Sequence, residues 1–249
     1  VTSVNGFVSN WQDLSDSSLD LSQSSAARRP EFIDSALNNL PFVSFDAVND
    51  RFSTNVRLDS GNFSISSVYN VKEKSARGIR MINGSNNWIY GPFSGVYRVF
   101  NGGFISGKAT VIDRYVAHTA WSVNDTVINF VNGLEFGQRL NNFRPQLLTL
   151  GQNAINGNIG EIIIVKGLIN SSQRLQIDSY LMDKYAPPVN LGADRRVCSF
   201  PDSMALEIDY ALDYQWSTGD TTAATQIDSA GKYYVTITDM FERISVDSV

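Results

Sequence analysis

The chain is poor in the residues that most often carry chemistry. Of its 249 residues, one is cysteine (Cys198) and one is histidine (His118). A single cysteine excludes an intrachain disulfide, and the two counts together exclude a structural zinc site of cysteines and histidines. A serine-histidine-aspartate arrangement would need His118. No Gly-x-Ser-x-Gly elbow accompanies it, and it sits in the strand-like run Tyr115–Trp121. No apolar run approaches the roughly 18 residues of a membrane span, which argues against insertion in a bilayer. No signal peptide is legible, and the chain opens mid-pattern at Val1-Thr2-Ser3-Val4 and stops abruptly at Val249, as a piece of a longer protein would. Positive charge is also scarce, with 20 Lys and Arg against 25 Asp and Glu. Residues 1–188 carry 16 basic and 15 acidic side chains, and residues 189–249 carry 4 and 10. An acidic tail argues against a nucleic-acid partner, whose phosphates need a basic face. The basic cluster of Lys72, Lys74, Arg77 and Arg80 reads as a solvated strand edge or turn.

What the chain does have is strand pattern. Pro41–Phe45 and Asn62–Tyr69 alternate apolar and polar residues. Gly78–Ile82, Trp88–Tyr90, Val96–Phe100, Tyr115–Val123, Thr126–Val131 and Gln146–Leu150 read as further short strands. Between them fall Asn83-Gly84, Asn101-Gly102-Gly103, Asn132-Gly133 and Asn156-Gly157, which predict tight turns because Asn-Gly readily adopts positive φ. Ile162–Val165 is a run of β-branched residues, expected of a strand buried on both faces. One helix follows. Asn170 is its cap and Gln173 the capping-box partner; Ile177, Tyr180, Leu181 and Tyr185 form one apolar stripe. Ala186-Pro187-Pro188 cannot continue it, because proline lacks the N–H and clashes with the preceding turn. The pattern predicts an all-β, two-sheet sandwich with one short C-terminal helix over 1–188, a short stiff Pro-Pro linker, and a second small β-domain over 189–249.

Four motifs, in order, carry a family resemblance. Trp11-Gln12-Asp13, Pro41–Phe52, Val127–Gly133 and Ile159–Ile164 with Ser171–Tyr185 resemble the signature segments of bacterial laminin-G-like domains of the concanavalin A-like superfamily. Ala47 stands where that family usually has glycine, and its first strand is at best partly present. The tail has a resemblance of its own. Leu191–Asp194, Tyr214–Thr222 and Ala230–Asp239 resemble the small immunoglobulin-like modules of Bacteroidota surface proteins. Where that family often places a second cysteine, this chain has Met240-Phe241-Glu242-Arg243, so Cys198 reads as a small buried hydrophobe. The resemblances imply a jelly-roll sandwich followed by an Ig-like sandwich. They also imply an extracellular setting at a bacterial cell surface, export by the type IX system, and contact with that secretion machinery and with neighbouring domains of a longer chain.

Candidate sites follow from side-chain chemistry. Sugar binding needs aromatic faces beside amides and carboxylates. Asn86, Asn87, Trp88 and Tyr90 supply that combination, and Trp121 with Asn124-Asp125 supplies a second. Relatives of the sandwich often bind calcium, and Asp46, Asn49 and Asp50 offer hard oxygens within one turn. The competing reading is that these side chains hold the turn through bonds to its backbone. Glycoside hydrolases that share the sandwich use Glu-x-Asp-x-x-Glu. The nearest match, Glu207–Leu212, lacks the third acid and lies in the tail. The expected function is therefore a non-catalytic module binding a glycan or a surface ligand, with a structural stalk or secreted cargo segment as the alternative. Asp34-Ser35-Ala36, Asp125-Thr126-Val127, Asp202-Ser203-Met204 and Asp228-Ser229-Ala230 resemble the O-glycosylation triplet of the same phylum.

Overall fold

The structure, a computed structural model, describes residues 1–73, 81–151, 155–194, 196 and 201–249. It divides into two compact units, Val1–Leu181 and Met182–Val249. Lys74, Arg77 and Arg80 of the basic cluster, the start of the Gly78–Ile82 strand, and Cys198 lie outside the described residues.

The strands of the first unit all pair antiparallel. Its strands are β1 (Thr2–Val4), β2 (Phe7–Trp11), β3 (Leu21–Ser22), β4 (Glu31–Leu37), β5 (Leu40–Asp46) and β6 (Phe52–Leu58). There follow β7 (Phe63–Tyr69), β8 (Ile82–Gly84), β9 (Ile89–Phe93), β10 (Val96–Phe100) and β11 (Lys108–Ala109). The last are β12 (Val116–Val123), β13 (Thr126–Val131), β14 (Leu134–Leu140), β15 (Gln146–Leu150) and β16 (Asn156–Lys166). One half-sheet runs β4–β5–β16–β7–β12–β13–β14, and the other β11–β10–β9–β8–β15–β6–β3–β2. The halves join where Phe7 on β2 pairs with Glu31 on β4.

The halves close over a shared core. Val43, Phe63, Ile65, Tyr69, Ala120 and Val131 come from one side; Phe52, Val56, Ile82, Tyr97, Leu148 and Leu150 come from the other. A fully buried side chain of this size contributes about 1.5–3 kcal/mol. Alternation along β12 and β13 decides which residues enter this core. Two of the expected turns are instead strand. Asn83-Gly84 ends β8, and the turn follows at Ser85–Asn87, with Asn87 at φ 67°. Asn156-Gly157 opens β16, and Gly157 is required for a different reason: a Cβ there would lie 2.1 Å from the Asn70 carbonyl oxygen. Asn132-Gly133 does make the hairpin, at φ 53° and 76°.

Helix α1 (Ser171–Tyr185) is capped as the spacing requires. The Gln173 amide donates to Asn170 Oδ1, and the Asn170 amide donates to Gln173 Oε1, both at 2.9 Å. Leu181 and Tyr185 of the predicted stripe are buried and Ile177 is partly so, but the buried face also includes residues outside that stripe. Tyr180 is half exposed, while Arg174 and Asp178 are 6% and 2% exposed. The two form an ion pair one turn apart. Asp178 Oδ1 accepts from Thr119 Oγ1 at 2.7 Å, and the Arg174 guanidinium lies 3.9 Å above the Phe130 ring. The pair is thus hydrogen-bonded and stacked on the outer face of β12 and β13, where a lone buried charge would be costly. No described helix is long and apolar enough to cross a membrane.

The second unit holds a two-stranded sheet, β17 (Asp202–Ala205) with β19 (Ala224–Ile227). Beside it is a three-stranded sheet, β18 (Ala211–Trp216), β20 (Tyr234–Asp239) and β21 (Ile244–Ser248). Trp216, Val235, Ile237 and Phe241 are buried, and the Trp216 indole N–H donates to the Thr222 carbonyl at 2.9 Å. Buried indole N–H groups usually find such a partner.

Candidate functional site

A cleft of about 400 Å³ opens in the first unit beside β16. Its floor is apolar: Leu21, Val56, Ile82, Leu148, Leu150, Ile162 and Ile164. Half-buried Trp11 forms a wall, set edge-on to Phe52 with ring centroids 6.3 Å apart. Gln12, Asp13, Ser15, Ser17, Thr54, Thr149 and Lys166 supply polar groups around it. The cleft also has a backbone edge. On one side β16 pairs with β7 as far as Lys166, but on the other its register with β5 stops at Ile159. Among the described residues no strand pairs with that edge over Ile162–Lys166, and an unpaired strand edge presents peptide N–H and C=O groups.

The rim loop is held by two carboxylates. Asp13 accepts from the Ser15 and Leu19 amides, each at 2.9 Å. Asp20 accepts from the Asp13 amide at 2.9 Å and from Asn10 Nδ2 at 3.0 Å. These bonds to the charged form, led by the Leu19 amide, hold the Asp13 carboxyl below its ordinary value; for Asp20 the Asn10 bond leads. A loop of serines is thus kept in one shape above an apolar floor. Such an arrangement suits a ligand with an apolar face and hydroxyl groups.

The residues predicted as a sugar platform are placed differently. Trp88 and Tyr90 are fully buried. They lie parallel, 6.4 Å apart, and Tyr90 stacks on His118 at 4.3 Å. Neither offers a face to a ligand: Tyr90 on β9 and Trp88, just before that strand, both pack into the core. Asn87 is exposed in the turn, and Asn86 is partly covered, with its Nδ2 donating to the Arg144 carbonyl. Arg144 is also ion-paired with Asp125, so the Asn86 loop and the Asn124-Asp125 turn meet through one arginine. Trp121 faces elsewhere: it is half-buried near Phe130, and its N–H donates to the Ile169 carbonyl at 3.2 Å.

Asp46 and Asp50 hold their turn through bonds to its backbone, and Asn49 contributes its amide. Asp46 Oδ1 accepts from the Val48 and Asn49 amides at 2.8 and 3.3 Å, and Asp50 Oδ2 accepts from the Asp46 amide at 3.0 Å. Asp50 is buried, and that desolvation pushes its carboxyl up to about 6. No group of three or more His, Cys, Asp or Glu side chains suited to a metal ion occurs among the described residues.

His118 belongs to a polar network sealed in the core. Asn129 Nδ2 donates to the Tyr97 and Ser106 carbonyls, so its Oδ1 must be an acceptor. His118 Nε2 therefore carries the proton it gives to Asn129 Oδ1 at 2.6 Å, and Nδ1 accepts from the Tyr69 hydroxyl at 2.8 Å. Tyr90 donates to the His118 carbonyl and accepts from Ser67. Burial lowers the imidazole to about 4, so the ring is neutral near pH 7. With no exposure, it has no route to a substrate.

No family model matches the chain, and no curated protein does. Solved structures of similar fold do exist. The Trypanosoma rangeli sialidase in complex with the inhibitor DANA is 10% identical at a TM-score of 0.53, over 71% of this chain and 31% of the sialidase. The same enzyme in another structure matches at 0.53 over 76% and 32%. The binding domain of Paraclostridial Mosquitocidal Protein 1 is 13% identical at 0.53, over 92% of this chain and 61% of that one. The chain thus spans about a third of the sialidase and under two thirds of the toxin domain. At these identities the likeness is one of fold, a β-sandwich.

Proposed function

We propose that the first unit is a non-catalytic binding module that takes a glycan in the Trp11 cleft. One observation carries this reading. The cleft joins an aromatic wall, an apolar floor, a fixed hydroxyl-bearing rim and an unpaired strand edge. Sugars present C–H faces to aromatic rings and hydroxyls to amides, carboxylates and peptide groups, and the cleft supplies each partner. A glycoside hydrolase flanks the scissile bond with two carboxylates. Among the described residues lining the cleft, Asp13 is the single carboxylate, and both its oxygens already accept loop amides. That supports binding over hydrolysis.

The motif resemblance supports the wider setting we propose: a laminin-G-like domain followed by an Ig-like module in a type IX-exported, cell-surface protein of Bacteroidota. Two small antiparallel sheets with a buried Trp216 on one of them are compatible with the Ig-like part.

The test is a glycan-array screen of the chain, repeated with Trp11→Ala and with a calcium chelator present. Specific binding that falls at least tenfold in Trp11→Ala and ignores the chelator is the expected outcome. Binding unchanged by Trp11→Ala would remove the cleft as the site. No binding to any glycan would favour a structural stalk.

A further inference from the structure

A second hollow lies on the opposite face of the strands that build the cleft. Leu21 and Thr54 line the cleft; their chain neighbours Ser22 and Ser53, which pair across β3 and β6, line a hollow of about 290 Å³. Its other walls are Ser9, Gln23, Ser24 and Arg29. The lining is therefore four hydroxyls, an amide and a guanidinium, with no apolar side chain and no carboxylate.

Arg29 is fixed there by its own backbone neighbours. Its Nε donates to the Gln23 carbonyl and its Nη2 to the Ser24 carbonyl, both at 3.0 Å. Gln23 is buried and held in turn: Nε2 donates to the Arg51 carbonyl at 2.7 Å, and Oε1 accepts from the Ser25 amide at 3.1 Å. The guanidinium thus spends its side edge on the protein. The end edge, Nη1 with the second proton of Nη2, stays uncommitted and has the spacing that binds an oxyanion through two parallel bonds. Arg29 forms no ion pair with a described residue. The hydroxyls of Ser22, Ser24 and Ser53 make no hydrogen bond to a described group. Arg28 and Arg51 add positive charge nearby, joined by the bond from the Arg51 amide to the Arg28 carbonyl. Glu31, two residues along the chain, is the nearest acidic residue in sequence to Arg29. An ordered cation among free hydroxyls matches a ligand carrying one anionic group beside further hydroxyls.

We propose that this hollow is an oxyanion site for an acidic saccharide, holding a sulfate ester or a uronate carboxylate on the end edge of Arg29. The inference rests on the reading that the unit binds saccharides. It adds a second site, and a charge on the ligand, to that reading.

Calorimetry on the full chain tests it with three probes: a chondroitin 4-sulfate tetrasaccharide, the same sugar desulfated, and the desulfated sugar with its carboxyls reduced. The sulfated and desulfated acids are expected to bind and the neutral form not to. Binding of the sulfated form alone would identify the sulfate as the anion. Arg29→Gln should lower the affinity roughly 10- to 100-fold, as loss of a charged hydrogen-bonding partner does. Arg29→Lys, which keeps the charge and loses the fork, should fall in between. Ser22→Ala/Ser53→Ala removes exposed hydroxyls without touching the core and should weaken binding severalfold, which covers the case of an Arg29 variant that fails to fold. Arg139→Gln, at an exposed arginine elsewhere, should change nothing. Equal binding of all three probes, no binding of any, or Arg29 and serine variants that bind like the parent would each overturn the proposal. Trp11→Ala separates the two sites. A silent Arg29→Gln beside a damaging Trp11→Ala rejects the hollow and keeps the cleft; the reverse keeps the hollow and rejects the cleft.

Discussion

Acidifying the protein from pH 7 to pH 4 should cost about 3 kcal/mol of stability through His118 alone. In the folded chain the ring stays neutral down to about 4, because burial opposes its charge. In the unfolded chain it takes a proton near 6.5, and each pH unit of that gap is worth about 1.4 kcal/mol. The sign follows from proton counting. Between about 6.5 and 4 the unfolded state binds the proton and the native state does not, so stability falls as pH falls. Below about 4 both are protonated and the loss is complete. Other groups titrate in the same window, so the useful quantity is the difference between the parent and His118→Gln. At pH 7 the variant should be less stable by about 1–3 kcal/mol, since Tyr69 and Asn129 lose well-placed partners. That gap should close or reverse by pH 4. Urea unfolding at several pH values measures it. The chain has one histidine, so proton NMR of its ring is unambiguous and should show no titration above about pH 5. A ring that titrates near 6.5 in the folded protein, or a gap that ignores pH, would refute the reasoning.

Three further outcomes are expected. Asp178→Asn, which leaves Arg174 buried without its partner, should cost about 3–5 kcal/mol in denaturant unfolding, while Arg174→Met/Asp178→Leu together should cost less than either single change. Gly157→Ala should cost about 1–3 kcal/mol by the same assay, because the added methyl meets the Asn70 carbonyl and both groups are backbone-fixed. Asp50→Asn should gain on the parent as pH rises from 4 to 7. The Asp50 carboxyl is raised to about 6, so its contribution is full below about 3.8 and is lost as pH climbs through 6, whereas asparagine has no charge to bury. A pH-independent difference would show that Asp50 is not desolvated.

The strands with clean alternation were legible: Pro41–Phe45, Val96–Phe100, Thr126–Val131 and Gln146–Leu150 all fall inside strands. So was the helix, because a capping box and a Pro-Pro stop are local signals that tertiary contacts rarely override. The short strands β1 and β3 were not read, since their pairing rather than their side chains makes them strands, whereas β6 was overlooked although Phe52, Val56 and Leu58 alternate inward along it. The buried face of α1 was read in part, through Leu181 and Tyr185, and the rest was missed for a related reason. Arg174 and Asp178 at i and i+4 look like a solvated pair, and only their placement over Thr119 and Phe130 puts them inside. The candidate site was the least legible. Trp88 beside two asparagines looks like a sugar platform, but its indole packs in the core against Phe63. Trp11 carried the one usable signal, its place in the Trp-x-Asp motif. Yet the cleft it walls is assembled from strands as far apart in sequence as β2 and β16, and no local pattern predicts that.

The uncovered edge of β16 has a consequence for assembly rather than recognition. Ile162-Ile163-Ile164-Val165 is a four-residue β-branched run with one backbone side unpaired, the kind of segment that templates sheet growth between chains. Glu161 and Lys166 bracket it with opposite charges, and the Trp11 wall and rim loop stand over it. A chain lacking its first 24 residues would lose that wall and loop, and aggregation through this run should then compete with its folding.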